Sequence, residues 1–170
     1  MSRLTPFQTV GPFLHLGLRN GLGPMTASGL TTPIIVGGRL LDGAGAGIPD
    51  GVLEFWAAGF DGIGRVWTGA DGGYRLETRM PMSREESGGT VHAPHFAVRV
   101  LARGILTEYL TRAYFDGAPS NERDPILREV PADRRATLIA VATAINDTGP
   151  SEYHFDIVVQ GDRETVFFDL

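Results

Sequence analysis

From residue 34 onward the apolar positions come in short runs, most alternating with polar ones, and glycine or proline closes nearly every run. A period of two belongs to strands, in which successive side chains point to opposite faces. The segment IIVGGRLLD (34–42) predicts a first strand, with GAGAGIPDG as the turn after it. In VLEFWAA, Leu53 and Phe55 take one face while Glu54 and Trp56 take the other. GRVWTGADGGYRLET predicts a hairpin, strands 64–68 and 74–78 about Asp71-Gly72-Gly73. Residues 79–91 read as a polar loop, followed by strands at 95–103 and 106–115 and a turn region at DGAPSNERD. Asp124 is placed to cap a short helix opened by Pro125, and PADRRATL adds a further helical turn opened by proline. IAVATAI, EYHFDIVVQG and ETVFFDL read as closing strands, the first two joined by a turn at NDTGPS. About eight strands with one or two short helices predict an all-β, two-sheet β-sandwich.

Residues 1–33 show no such period, with proline at 6, 12, 24 and 33 and glycine at 11, 17, 21, 23 and 29. The chain therefore divides into an N-terminal arm, 1–33, that is either loose or pinned against something else, and a sandwich domain, 34–170.

Composition narrows the class. A chain of 170 residues fits one domain and buries roughly 70% of its extended surface. The 42% hydrophobic fraction is enough for a core. A net charge of -5 and a pI near 5.3 exclude a general nucleic-acid binder, which carries a basic face. The sequence contains no cysteine, so disulfides, thiolate zinc sites, iron–sulfur clusters and a cysteine nucleophile are all excluded. The N-terminus lacks the apolar stretch of a secretory signal, and no run approaches the ~18 apolar residues of a membrane span. These features lead us to expect a soluble, cytoplasmic protein.

The candidate chemistry centres on TVHAPHFAVRVLARG (90–104), which holds two of the four histidines, His92 and His95. In a strand, positions three apart face opposite ways, and the residue that shares a face with His95 is Ala97. Pro94 lies between the histidines and can interrupt the strand, so a metal site supported by Glu85 or Glu86 stays open as an alternative. The simpler reading makes His95 a half-buried strand residue and puts His92 in the loop. Alternation also groups His95, Ala97, Arg99, Leu101 and Arg103 opposite the apolar Phe96, Val98, Val100 and Ala102. Two arginines on a non-core face mark either a solvated sheet or a surface that meets an anion, for which guanidinium geometry is suited. No G-x-S-x-G, P-loop, helix-opening G-x-G-x-x-G or H-E-x-x-H is present. On its own residues the chain makes a poor enzyme.

Several segments resemble the intradiol ring-cleavage dioxygenases: TPFQTVGPFLHLGL (5–18), GGRLLDGAGAGIPDGVLEFWAA (37–58), APHFAVRVLARGILTEYLTRAYFDG (93–117), DRRATLIA (133–140) and YHFDIVVQGDRETVFFDL (153–170). The resemblance runs nearly end to end. The arm pattern T-P-x-Q-T-x-G-P-aromatic and the ARG strand end followed by TRxYF resemble the branch that cleaves 3,4-dihydroxybenzoate, and GxxETVFFD resembles its α chains. Catalytic chains of the family hold non-haem Fe(III) with two tyrosines and two histidines, the latter as H-x-H on a strand. Here the matching triplet is His95-Phe96-Ala97. The tyrosines are Tyr74, Tyr109, Tyr114 and Tyr153; none lies in the 79–91 loop, and Phe60 stands in the shortened segment after Trp56. At least three of the four ligands are thus missing.

The resemblance accordingly implies a non-iron-binding α subunit with no catalytic or metal-ligating residue of its own. Fe(III) is then expected in a homologous β subunit, within an α/β hetero-oligomer whose substrate pocket lies at the junction. The residues implied to reach that pocket are Thr9, Gly11, Pro12, Phe13 and Arg103, with Phe13 where the family usually has tyrosine. The implied reaction inserts both atoms of O2 into 3,4-dihydroxybenzoate to give 3-carboxy-cis,cis-muconate, a step of aromatic catabolism through β-ketoadipate. Gly11-Pro12 suits close backbone approach to a ring, and an arginine suits the substrate carboxylate. The alternative is a stand-alone β-sandwich binding module that kept the fold and lost the chemistry.

Overall fold

The computed structural model describes residues 5–11, 13–18, 26–27, 32–86, 88–146 and 149–169. In chain order the elements are α1 (Leu14–Gly17), β1 (Thr26–Ala27), β2 (Pro33–Leu41), β3 (Val52–Trp56), β4 (Phe60–Asp61), β5 (Gly64–Trp67) and β6 (Gly73–Arg79). There follow β7 (Arg84–Glu85), β8 (Val91–His92), β9 (His95–Leu101), β10 (Tyr109–Phe115) and α2 (Pro125–Glu129). The chain closes with β11 (Ile139–Ala144), β12 (Ser151–His154) and β13 (Ile157–Val158); short 3-10 turns cover Pro119–Arg123 and Arg135–Leu138.

These strands form the expected β-sandwich. One layer is built on β2, which pairs antiparallel with β6 on one side and parallel with β12 and β13 on the other, while β11 lies antiparallel to β12. The second layer runs β5-β3-β9-β10, antiparallel throughout. A two-residue parallel pairing, Tyr114 with Ile139 and Phe115 with Ala140, joins the layers along one edge into a nine-stranded sheet. The sandwich is thereby nearly closed into a barrel.

Alternation selects the core. Ile34, Val36 and Leu40 from the first layer meet Leu53, Phe55, Phe96, Val98 and Val100 from the second, all buried. Phe55 bridges the layers, its ring 6.0 Å from Tyr74 and edge-on to Phe96 at 5.9 Å. Fully burying side chains of this size contributes about 1.5–3 kcal/mol each. A second, smaller cluster of Ala93, Tyr114, Leu127, Val130 and Leu138 packs α2 onto the back of β10.

Three sequence expectations need correction. The strands around Asp71-Gly72-Gly73 do form, but they do not pair as a hairpin: β5 pairs with β3 and β6 with β2. The turn carries the chain from one layer to the other because it is packed against β2. The Leu40 amide donates to the Gly72 carbonyl at 2.9 Å, and a Cβ on Gly72 (φ +80°) would lie 2.5 Å from the Leu40 carbonyl oxygen. Residues 79–91 are not wholly loop, since β7 and β8 form a small antiparallel ladder that places His92 in a strand. The described part of ETVFFDL, 164–169, joins no sheet; the Thr165 amide donates to the Val158 carbonyl of β13 and the Phe168 amide to the Leu110 carbonyl of β10, making it a strap between the two layers. Within the arm, β1 pairs with β4 and the Met80 amide donates to the Thr32 carbonyl. The described parts of residues 1–33 are therefore partly held by their own chain.

Asp124 caps α2 as expected, and does more. Its fully buried carboxylate accepts from the Leu127 amide, the Ala93 amide and the Tyr114 hydroxyl, each at 2.9 Å. Burial pushes this carboxyl up, but the hydrogen bonds from Leu127, Ala93 and Tyr114 together with His92 outweigh it and hold the group below its usual range. A carboxylate lowered in the fold stabilises above its unfolded pKa, and that contribution is lost as pH falls through the folded value. Asp124→Ala orphans three donors, and at roughly 1–3 kcal/mol each urea unfolding should register a loss of at least about 3 kcal/mol. A loss below about 1 kcal/mol would show that the carboxylate does not organise this region.

Candidate functional site

Strand β9 has a feature of interest at each end. At its C-terminal end the chain turns through Gly104 (φ +88°), and the Ile105 amide donates to the Ala102 carbonyl. Arg103 projects from this turn, half exposed, with Nη2 3.6 Å from an Asp50 carboxylate oxygen. Such exposed pairs contribute about 0–1 kcal/mol, so the guanidinium is readily redirected to another anion. The Gly104 amide donates to the Thr9 hydroxyl at 2.7 Å, which ties the arm to the strand end beside Arg103.

Beyond Thr9 the arm turns through Gly11, whose carbonyl accepts from the Leu14 amide, and enters α1. A Cβ on Gly11 would meet nothing within 4 Å, so its outer side is open. Phe7 and Phe13 are 77% and 72% exposed. Of the sequence candidates, the structure thus brings Thr9 to Arg103, with Gly11 and Phe13 following along the arm; Pro12 lies outside the described residues. Asp50 as the ionic partner of Arg103 was not legible, because a turn residue's tertiary contact has no local pattern.

At the N-terminal end of β9 a cleft of about 850 Å³ opens on the outer face of β9 and β10. Its floor holds Trp56, His95, Ala97 and Arg112, and α2, the C-terminal strap and the segment around Met82 and Arg84 wall it in. The register sets Trp56 and Arg112 directly opposite Ala97 on its two neighbouring strands. His95 Nδ1 donates to the Ala93 carbonyl at 2.7 Å, which leaves Nε2 as the bare nitrogen. Burial pushes the His95 imidazole below its ordinary value, more strongly than the Ala93 hydrogen bond raises it, so the ring is held neutral.

His92 is not a loop residue but a buried one, and Pro94 lets its ring come to 6.2 Å from that of His95. Its nitrogens face other partners: Nδ1 lies 3.5 Å from Asp124 and Nε2 3.4 Å from Glu86. Tyr114, 5.1 Å from the His95 ring, donates its hydroxyl to Asp124, and burial pushes the phenol well above its usual pKa. A ferric ion of the intradiol type needs phenolates and convergent imidazoles. Here the nearest phenol is held protonated, the same-face partner of His95 is a methyl group, and among the described residues no three His, Cys, Asp or Glu side chains could hold a metal. The donor set does not fit the ion.

Arg99, grouped by alternation with Arg103 as a possible anion contact, is committed elsewhere. It lies over the Trp56 ring and 3.4 Å from the buried Glu54, which also pairs with Arg65. The Arg112–Tyr114–Asp124 network escaped sequence reasoning because its members come from two elements whose register no local pattern fixes; alternation alone links Arg112 to Tyr114.

No protein-family model matches the chain. Among curated relatives, the chain is 38% identical to the protocatechuate 3,4-dioxygenase alpha chain of Burkholderia cepacia, over 98% of this chain and 97% of that one. It is 35% identical to the alpha chain of Pseudomonas putida, over 98% and 96%. The beta chain of the Burkholderia cepacia enzyme is 28% identical over 91% of this chain and 74% of its own length. Among solved structures, the dioxygenase domain of a dioxygenase carbohydrate-binding protein fusion from Streptomyces sp. SirexAA-E superposes with a TM-score of 0.61 at 26% identity, over 80% of this chain and 84% of that one.

The state of His95 is directly measurable. Its NMR titration should fall below the free imidazole value near 6.5, with the Nδ1-protonated tautomer dominant at pH 7. A group lowered in this way favours folding above the unfolded value and loses that contribution as pH drops to the folded one. A midpoint above 6.5 would contradict the buried, neutral assignment.

Proposed function

The chain belongs to the protocatechuate 3,4-dioxygenase alpha-chain family, as a subunit of an intradiol dioxygenase, and we propose that it completes the substrate pocket of an iron-bearing beta chain while holding no iron itself. The observation that carries this reading is the Thr9–Gly104 hydrogen bond, which anchors the arm beside Arg103 and leaves Phe7 and Phe13 exposed. Arg103 and the Thr9 anchor lie past the opposite end of β9 from His95, and the six strand steps from His95 to Leu101 span roughly 20 Å at about 3.3 Å each. They cannot serve this chain's own cleft. They are available to a neighbour.

On this reading the substrate is 3,4-dihydroxybenzoate, and its ring carboxylate takes the place of Asp50 on Arg103. A guanidinium offers two parallel donors to a carboxylate, fixing orientation as well as supplying attraction. Gly11, Pro12 and Phe13 would cover the ring and keep water from it, so that this chain contributes positioning and solvent exclusion. Phe13 has no hydroxyl and acts by contact alone. The insertion of both atoms of O2 to give 3-carboxy-cis,cis-muconate is assigned to the iron of the beta chain. We place the hetero-oligomer in the cytoplasm. In it the arm, 1–33, packs on the partner chain, and residues 34–170 form the β-sandwich domain.

Hydrogen bonds to charged groups are worth roughly 1.5–3 kcal/mol. Arg103→Ala should therefore lower kcat/KM for 3,4-dihydroxybenzoate by about ten- to a hundredfold, with the iron content of the assembled enzyme unchanged. Catechol, which lacks the carboxylate, should be nearly indifferent to the substitution. Iron lost in step with activity, or an equal effect on catechol, would remove Arg103 from the pocket.

A further inference from the structure

The cleft at the His95 end of β9 is not used by the reading above and does not depend on it. It combines three properties. The floor and one wall are largely apolar, from Trp56, Ala97, Ile126, Val130 and Phe168. A half-buried guanidinium, Arg112, lies in the floor, with hydrogen-bond contacts to the Tyr114 hydroxyl at 3.3 Å and to His92 Nδ1 at 3.5 Å. No carboxylate pairs with it among the described residues, whereas Arg65, Arg99 and Arg103 each have one. A cation without a direct carboxylate partner beside an apolar cavity attracts an anion with an apolar body, because the low-dielectric walls strengthen the Coulomb term.

The other charged side chains lining the cleft are Arg84 and, opposing an anion, Glu129 and Asp169. Behind the floor, Asp124 meets Arg112 only through the Tyr114 hydroxyl and His92, its oxygens already engaged by three donors. Arg84, Glu129 and Asp169 are all exposed and screened by solvent, while Arg112 is half buried, so the floor decides the preference. His95 adds the bare Nε2 acceptor of a neutral ring, and contributes no charge. A volume of about 850 Å³ is ample for a single aromatic ring with a carboxylate.

We propose that this cleft is a second, non-catalytic site for a small aromatic carboxylate, with Arg112 receiving the carboxylate and Trp56, Ile126, Val130 and Phe168 enclosing the ring. The site needs neither a metal nor a partner chain, since every residue named comes from this polypeptide. It would let the chain sense the class of compound that its assembly handles.

The test is a titration of 4-fluorobenzoate into the full-length chain, in whatever assembly it purifies, followed by 19F NMR and Trp fluorescence. Arg112→Gln removes the charge, Ala97→Phe fills the floor, and Arg103→Ala disables the other end of β9. We expect a saturable component that weakens at least about tenfold in both R112Q and A97F and persists in R103A. 4-Fluorobenzyl alcohol, which has the same ring and no charge, should bind at least about tenfold more weakly. Circular dichroism identifies any variant that fails to fold, and either cleft variant suffices for the reading. Absence of a component that survives R103A would overturn the site, as would a component insensitive to both cleft variants. Equal binding of the alcohol would overturn its assignment to carboxylates. Failure of the Arg103 reading alone would leave this pattern intact.

Discussion

A single buried carboxylate organises the region on which the functional argument turns. Asp124 is fully enclosed, and an ionised group in that position is tolerable only if its oxygens are satisfied. It takes hydrogen bonds from three separate places: the N-terminus of α2, the backbone leading into β9, and the Tyr114 hydroxyl on β10. That arrangement fixes α2 against the second layer and so raises one wall of the cleft. It also consumes the phenol nearest to His95. The same interaction that builds the cavity therefore removes from it the group most able to carry negative charge toward a metal.

The two ends of β9 consequently have different characters. The N-terminal end holds a cleft with one neutral imidazole, an aspartate-centred network and an arginine that has no carboxylate partner among the described residues. The C-terminal end carries an exposed arginine paired with Asp50, a threonine-anchored arm and, along that arm, exposed aromatic rings. The core of Phe55, Phe96, Val98 and Phe115 depends on the inward faces alone. Substitutions on the outward face, such as alanine at 97, leave that core untouched.

Much of this was legible in the sequence. Alternation in 95–101 separated core from outer face correctly, and Asp124-Pro125 announced a capped helix. What could not be read was non-local. The Asp71-Gly72-Gly73 turn has every local mark of a hairpin, yet its strands lie in different layers because the turn is packed against Leu40 and Gly47. Residues 164–169 alternate like a strand but serve as a strap, since β13 and β10 offer them only isolated backbone partners. His92 lies in a strand only because β7, in an otherwise polar segment without alternation, pairs with it. Arg112 became conspicuous only once register placed it opposite Ala97. Charge pairing was equally hidden: Arg99 and Arg103 share a face and a spacing, but one is tied to buried Glu54 and the other to an exposed turn.

The central claim is that this polypeptide completes a pocket for an iron-bearing partner and binds no iron itself. The most direct measurement is native mass spectrometry with iron analysis on the chain recovered, tagged, from its native host. The account predicts recovery with a homologous chain in equal amount and about one Fe(III) per pair, the iron remaining with the partner when the two are separated. Recovery of this chain alone, or iron retained by it after separation, would contradict the account.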